Sequence, residues 1–87
     1  MPLNLASASN VVIPAYLVLL SKGYRVSCKR EEDPELWIAE RDDLRFVGHD
    51  PLDLLGVVAV YEGRGAHWRA SDEEIEAFTK RFLSEQR

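Results

Sequence analysis

Apolar and polar residues follow a helical period near the start of the chain. The apolar positions that share one helical face are Val12, Tyr16, Leu19 and Leu20. Asn10 is the expected N-cap, and Pro14 either stands in the first turn or begins the helix itself. Gly23 follows the last apolar residue and is typical of a helix end. The pattern predicts an N-terminal helix that stops at Gly23.

The period then changes from helical to alternating, which indicates β-strands. Residues 24–29 alternate apolar with polar side chains, as expected for a strand with one buried face. After an acidic turn, residues 36–40 and 44–47 predict a hairpin around Asp42 and Asp43. Three successive strands of this kind predict an antiparallel meander.

The hairpin register assigns the two faces of the sheet. An even-numbered loop pairs Glu40 with Arg45 and places Ile38 outward. The residues expected to face the core are Tyr24, Val26, Cys28, Trp37, Ala39, Leu44 and Phe46. The outward face then carries Arg25, Lys29 and Arg45, which form a candidate surface for an acidic partner. A solvated face with a cross-strand ion pair is the simpler interpretation.

The apolar segment after His49 allows two interpretations. Asp50 as N-cap, Pro51 at the first helical position and Gly63 as the end predict one helix. In such a helix Gly56 would allow a neighbouring backbone to approach closely. Branched residues within 57–62 favour a fourth strand by propensity, so a short helix followed by a strand is the alternative.

The C-terminal segment has the clearest helical pattern. Ser71 and Glu74 have the spacing of a capping box. The apolar positions that follow at helical spacing are Ile75, Phe78, Thr79 and Phe82. We therefore predict an α+β fold: a helix, a three-stranded antiparallel meander, then two helices packed on one face of the sheet. We expect residues 10–87 to form a single small α+β domain and residues 1–9 to form a flexible N-terminal arm.

Composition narrows the class of protein. The chain has 87 residues, 46% of them hydrophobic, and a net charge of −4, which fits one small acidic domain. The lone Cys28 excludes an intramolecular disulfide and suggests a reducing compartment. No basic residue precedes Lys22, and the apolar run 11–20 is too short to span a bilayer. We therefore expect a cytoplasmic protein without a membrane partner.

The connector before the last helix is the strongest candidate binding site. Its residues of the types enriched at interface hot spots are Arg64, His67, Trp68 and Arg69. The competing structural interpretation is that Trp68 covers the end of the last helix while both arginines remain solvated. The Gly-Arg-Gly sequence lacks the spacing of a phosphate-binding loop.

Residue types associated with catalysis or metal binding do not form a recognisable motif. His49 adjoins Asp50, but Asp50 is better explained as a helix cap. His67 lies far from His49 in the sequence, and the acidic residues 31–35 lack calcium-loop spacing. We predict no catalytic residues, no metal and no cofactor.

Hot-spot residue types without catalytic motifs favour a noncatalytic protein-binding or regulatory module, such as an accessory subunit or an inhibitor. The expected partner is another protein, whose identity no motif encodes, and the oligomeric state is likewise not encoded. A small enzyme or a nucleic-acid-binding module is the alternative. The net charge of −4 opposes phosphate binding, so no nucleic-acid partner is expected.

Overall fold

A computed structural model describes residues 3–6, 8–31 and 33–83 of the chain. In chain order its helices and strands are α1 (Val12–Ser21), β1 (Arg25–Lys29), β2 (Leu36–Arg41), β3 (Leu44–Gly48), α2 (Pro51–Arg64) and α3 (Asp72–Phe82). The three strands form one antiparallel sheet with helices on it, which confirms the α+β class. The arm predicted over 1–9 falls partly on residues 1, 2 and 7, which lie outside the described residues.

α1 starts later than its predicted cap. The 3-10 turn Ser9–Val11 precedes it and contains Asn10, so the chain is already turning when the α-helix begins at Val12. No side chain caps this helix, and Asn10 as its N-cap is wrong. Pro14 stands in the first turn, where its missing N–H removes no helical hydrogen bond. Gly23 ends the helix with a positive φ of 92°, as its position predicted.

The hairpin has the predicted register. Glu40 lies opposite Arg45, and the two-residue turn between the strands starts with Asp42 at φ 56°, a left-handed conformation that Asp tolerates. Strand β2 is central, between β1 and β3. Ala39 is fully buried in the core, and Phe46 packs against it from β3. The parity argument therefore assigned the core-facing side correctly.

Helices α1 and α2 cover the same face of the sheet and contact each other. The opposite side, here called the open sheet face, has no helical layer among the described residues. Ile38 lies on this face yet is only 3% exposed. Its strand is central, and its cross-strand neighbours Ser27 and Val47 flank it on both sides.

The segment after His49 is a helix, so the fourth-strand alternative for 57–62 is wrong. Asp50 caps it as predicted, because its Oδ1 accepts a hydrogen bond from the Asp53 backbone N–H at 2.8 Å. The helix continues past Gly63, the predicted end, to a cap at Gly65 with φ 76°. The N-cap and the helical pattern of this segment favour a helix more strongly than its branched residues favour a strand.

The close backbone approach in this region occurs at Gly48 instead of Gly56. A Cβ atom on Gly48 would lie 2.8 Å from the backbone nitrogen of Leu54, so the end of β3 lies directly against α2. Around Gly56 there is open space, and the close approach predicted there is wrong. The core beside this contact contains the fully buried Leu19, Leu54 and Val58.

α3 stands apart from this core. It begins with the predicted capping box of Ser71 and Glu74. Every described side chain of α3 is exposed, and the helix packs closely against no other described element. The two helices on the sheet are therefore α1 and α2, whereas the sequence suggested that the last two helices would cover it. None of the described helices combines the length and apolar character that crossing a bilayer requires.

Candidate functional site

Two regions that the sequence marked separately meet at one surface groove. Arg45 of the candidate basic face and Trp68 of the connector both line it. We call this cavity of about 510 Å³ the β3–α2 groove; its lining residues are Arg45, Phe46, Val47, Val57, Val60, Tyr61 and Trp68. The size is typical of ligand and peptide sites, and the lining is mostly apolar.

The groove is built on the edge of the sheet and on one side of α2. β3 is an edge strand, and its Phe46 ring lies 5.5 Å from the ring of Tyr61 on α2. The aromatic pair forms the base of the groove, because Phe46 also packs on the core. Val57 and Val60 project from α2 and remain 37% and 46% exposed. The groove thus leaves apolar surface in contact with solvent.

Arg64 holds the connector in place through bonds within the chain. Its Nε donates to the Trp68 carbonyl oxygen at 3.0 Å, and its Nη2 donates to Glu74 Oε1 at 3.0 Å. The same Glu74 oxygen accepts from the Ser71 backbone N–H at 2.9 Å. This backbone hydrogen bond, followed by the Arg64 charge, lowers the pKa of Glu74 below its usual value. Arg64 therefore holds the backbone at Trp68 and the first turn of α3 in position relative to each other.

The rest of the connector is more accessible. The Arg69 guanidinium carbon lies 4.5 Å from the centre of the Trp68 ring, a cation–π distance. Trp68 remains 45% exposed while lining the groove, so it is not buried as a lid over the last helix. His67 ends a short 3-10 turn and is exposed outside the groove lining. Trp68 and Arg69 therefore form the accessible part of the predicted connector site.

The basic residues of the open sheet face are only partly brought together. Glu40 Oε2 lies 3.6 Å from Arg45 Nε, and its other oxygen lies 3.9 Å from Arg25 Nη2. One carboxylate thus lies between two of the three candidate cations and offsets their charge. Arg25 and Lys29 are on β1, the edge opposite β3, and do not line the groove.

A second cavity, of about 400 Å³, lies between α1 and the sheet and includes Cys28 and Trp37 in its lining. Burial is the main cause that raises the pKa of the Cys28 thiol.

At the N-terminal end of α2, His49 Nδ1 lies 3.5 Å from Asp53 Oδ2. Among the described residues no three side chains of the metal-binding types are grouped.

Sequence reasoning missed both the groove and the exposed apolar face of α3. The groove depends on how α2 crosses β3, which no local pattern encodes. The α3 face was visible as a stripe at helical spacing, but it was assigned to the core. Ile75 and Phe78 are 53% and 57% exposed. An amphipathic stripe indicates that one face of the helix will be buried. It does not indicate whether the surface that covers this face belongs to the same chain or to another.

Comparison of the chain with protein-family models, with curated proteins and with solved structures found no match.

Proposed function

We propose that this protein is a noncatalytic binding or regulatory module, and that its β3–α2 groove receives an amphipathic helical segment with acidic residues from a protein partner. The observation that carries the proposal is the meeting of Trp68 and Arg45 at one mostly apolar groove. Binding energy in protein interfaces concentrates on such aromatic and arginine side chains.

The chemistry of the groove favours an acidic amphipathic segment. Its apolar walls suit the side chains of one helical face, spaced by three and four residues. Arg45 is the charged residue of the described lining, and Arg69 adds a second cation on the Trp68 ring. Glu40 offsets part of the Arg45 charge, so Arg69 is the main cation that would attract carboxylates at the rim of the bound helix.

The proposed compartment is the cytoplasm, supported by the free thiol of Cys28.

An affinity capture with matched variants tests this function. The baits are the wild-type chain, a Trp68→Ala plus Arg69→Ala double variant, and Arg30→Ala as control. Arg30 is an exposed cation just after β1; it does not line the groove, and its described ion pair is with Glu35. Circular dichroism first establishes that each bait is folded. We expect a captured protein whose enrichment falls about tenfold or more with the double variant and stays unchanged with Arg30→Ala.

The captured protein then identifies the chemistry of the bound segment. Its binding region, made as a peptide, should bind the wild-type chain and lose affinity when its acidic residues become amides. Rising salt should weaken the same binding, because the cations of the groove are exposed. Equal enrichment by the wild-type and double-variant baits contradicts the proposal.

A further inference from the structure

α3 carries a stripe of large apolar side chains that are about half exposed. We call Ile75, Phe78 and Phe82 the α3 stripe; their exposures are 53%, 57% and 51%. The spacing of three and four residues places them on one helical face. No residue of α3 lines the β3–α2 groove of its own chain. The stripe and the groove are therefore two apolar surfaces that one chain presents in separate places.

The start of α3 and the groove carry opposite charges. The first turn of α3 contains Asp72, Glu73 and Glu74, of which Glu74 is bonded to Arg64. The charged residue of the groove lining is Arg45, whose charge Glu40 partly offsets. The charge match concerns only the first turn of α3, because Arg81 lies over Phe82 at the other end of the stripe. Arg69 lies over Trp68 at the same groove. α3 is thus an acidic amphipathic helix of the kind that the groove is suited to bind. The outer face of α1 is also apolar, with Leu17 54% exposed, but α1 contains no charged residue that would select an acidic helix.

We infer that a second copy of this chain is an occupant of the groove: the α3 stripe of each copy docks into the β3–α2 groove of the other. The exchange is reciprocal because every copy has both surfaces, so it closes a two-fold symmetric dimer. This inference rests on the proposed function, since it names one helix that the groove binds.

The available apolar area allows a weak dimer. Because a large aromatic side chain buries about 150–250 Å², the half-exposed stripe and the groove together present on the order of 400 Å² of apolar surface. Two reciprocal contacts then bury roughly 800 Å², which is in the range of weak and transient contacts. We therefore expect a reversible dimer whose population depends on concentration.

Sedimentation equilibrium of the full chain over a concentration series tests the inference. The wild-type mass should rise from 9.9 kDa towards twice that value as concentration increases. Phe78→Glu in the stripe and Val60→Glu in the groove should each weaken self-association by about tenfold or more. The matched controls introduce the same charge at neighbouring exposed positions, Ala77→Glu and Ala59→Glu, and should associate as wild type.

Mixing the two defective variants distinguishes stripe-to-groove docking from other contacts. A Phe78→Glu chain keeps its groove and a Val60→Glu chain keeps its stripe, so the mixture should recover one of the two exchanges and form a heterodimer. If the dimer instead formed by contact between two α3 stripes, Val60→Glu would not weaken self-association. The mixture would then show no recovery of this kind. A Leu17→Glu variant should associate as wild type, because α1 takes no part.

Three results would overturn the inference: a wild-type mass of one chain at every concentration, self-association that Leu17→Glu abolishes and Val60→Glu leaves intact, or a mixture that associates no more strongly than either variant alone. The proposed function is judged separately, by partner capture. If the wild type stays a single chain while capture of another protein still requires Trp68 and Arg69, only the self-association is wrong. If capture does not require them and the mass stays at one chain, both are wrong.

Discussion

The Arg64 guanidinium joins the end of α2 to the first turn of α3, with Nη2 3.0 Å from Glu74 Oε1. The same side chain donates to the Trp68 carbonyl oxygen. α3 has no close packing with the other described elements, so this ion pair is its main described link to the domain. The direction in which α3 presents its apolar stripe therefore depends on Arg64.

Replacing Arg64 by alanine should loosen α3 while leaving the core intact. The substitution removes the bonds to Glu74 and to the connector, whereas the buried core contains no part of Arg64. We expect amide hydrogen exchange in the first turn of α3 to accelerate several-fold, with little change in the melting temperature. Arg69→Ala is the matched control, because Arg69 donates no described bond to Glu74. Equal exchange rates in the two variants would contradict the positioning role.

Two glycines, Gly48 at the end of β3 and Gly56 within α2, should respond oppositely to alanine. Gly48→Ala places a Cβ 2.8 Å from the Leu54 backbone nitrogen, so strand and helix must separate. We expect it to lower the free energy of unfolding by about 2 kcal/mol, as overpacking does. Gly56→Ala meets open space within a helix and should raise that free energy by about 0.5–1 kcal/mol. Chemical denaturation of both variants measures the difference, and a stable Gly48→Ala would show that the strand end can move freely.

The sequence predicted those features that depend on local pattern. The register of Glu40 with Arg45, the Asp50 cap and the capping box each follow from a few neighbouring residues. The N-terminal cap was misplaced because a 3-10 turn over Ser9–Val11 precedes the α-helix, and such turns are frequent at helix N-termini.

The candidate site was predictable only in part, because it depends on contacts between distant segments. Trp68 and Arg45 were each singled out, but their meeting at one groove requires the crossing of α2 over β3. The exposure of the α3 stripe was predicted wrongly for a related reason. Helical periodicity indicates that Phe78 belongs to an apolar face of α3. The same pattern is expected whether that face packs in the core of its own chain or against another molecule.

Acid should weaken the first turn of α3 through Glu74. The backbone hydrogen bond from Ser71 and the charge of Arg64 lower the pKa of this carboxyl in the folded state. A lowered folded pKa stabilises the fold at pH values above the unfolded value, about 4.3 for glutamate, and this contribution is lost as the pH falls through the folded pKa. Nuclear magnetic resonance of the Ser71 amide over an acid pH series should detect the loss.

The Glu74→Gln variant is the control for this titration. Glutamine retains the side-chain oxygen of a capping box but does not ionise in this range. The Ser71 amide should therefore keep a constant chemical shift where the wild-type shift changes. If both proteins titrate alike, another carboxyl controls the start of α3.

Trp68→Ala should separate binding from stability. Trp68 is 45% exposed, so truncation removes surface contacts and leaves the fully buried Leu54 in place. We expect a loss of about 1 kcal/mol in the free energy of unfolding, against about 3 kcal/mol for the core variant Leu54→Ala. Affinity for a partner bound in the β3–α2 groove should fall much more strongly for Trp68→Ala, because a central aromatic anchor carries a large share of binding energy. Denaturation and isothermal titration on the same samples measure both quantities. A Trp68→Ala protein that unfolds as easily as Leu54→Ala and binds as tightly as wild type would make Trp68 a structural residue.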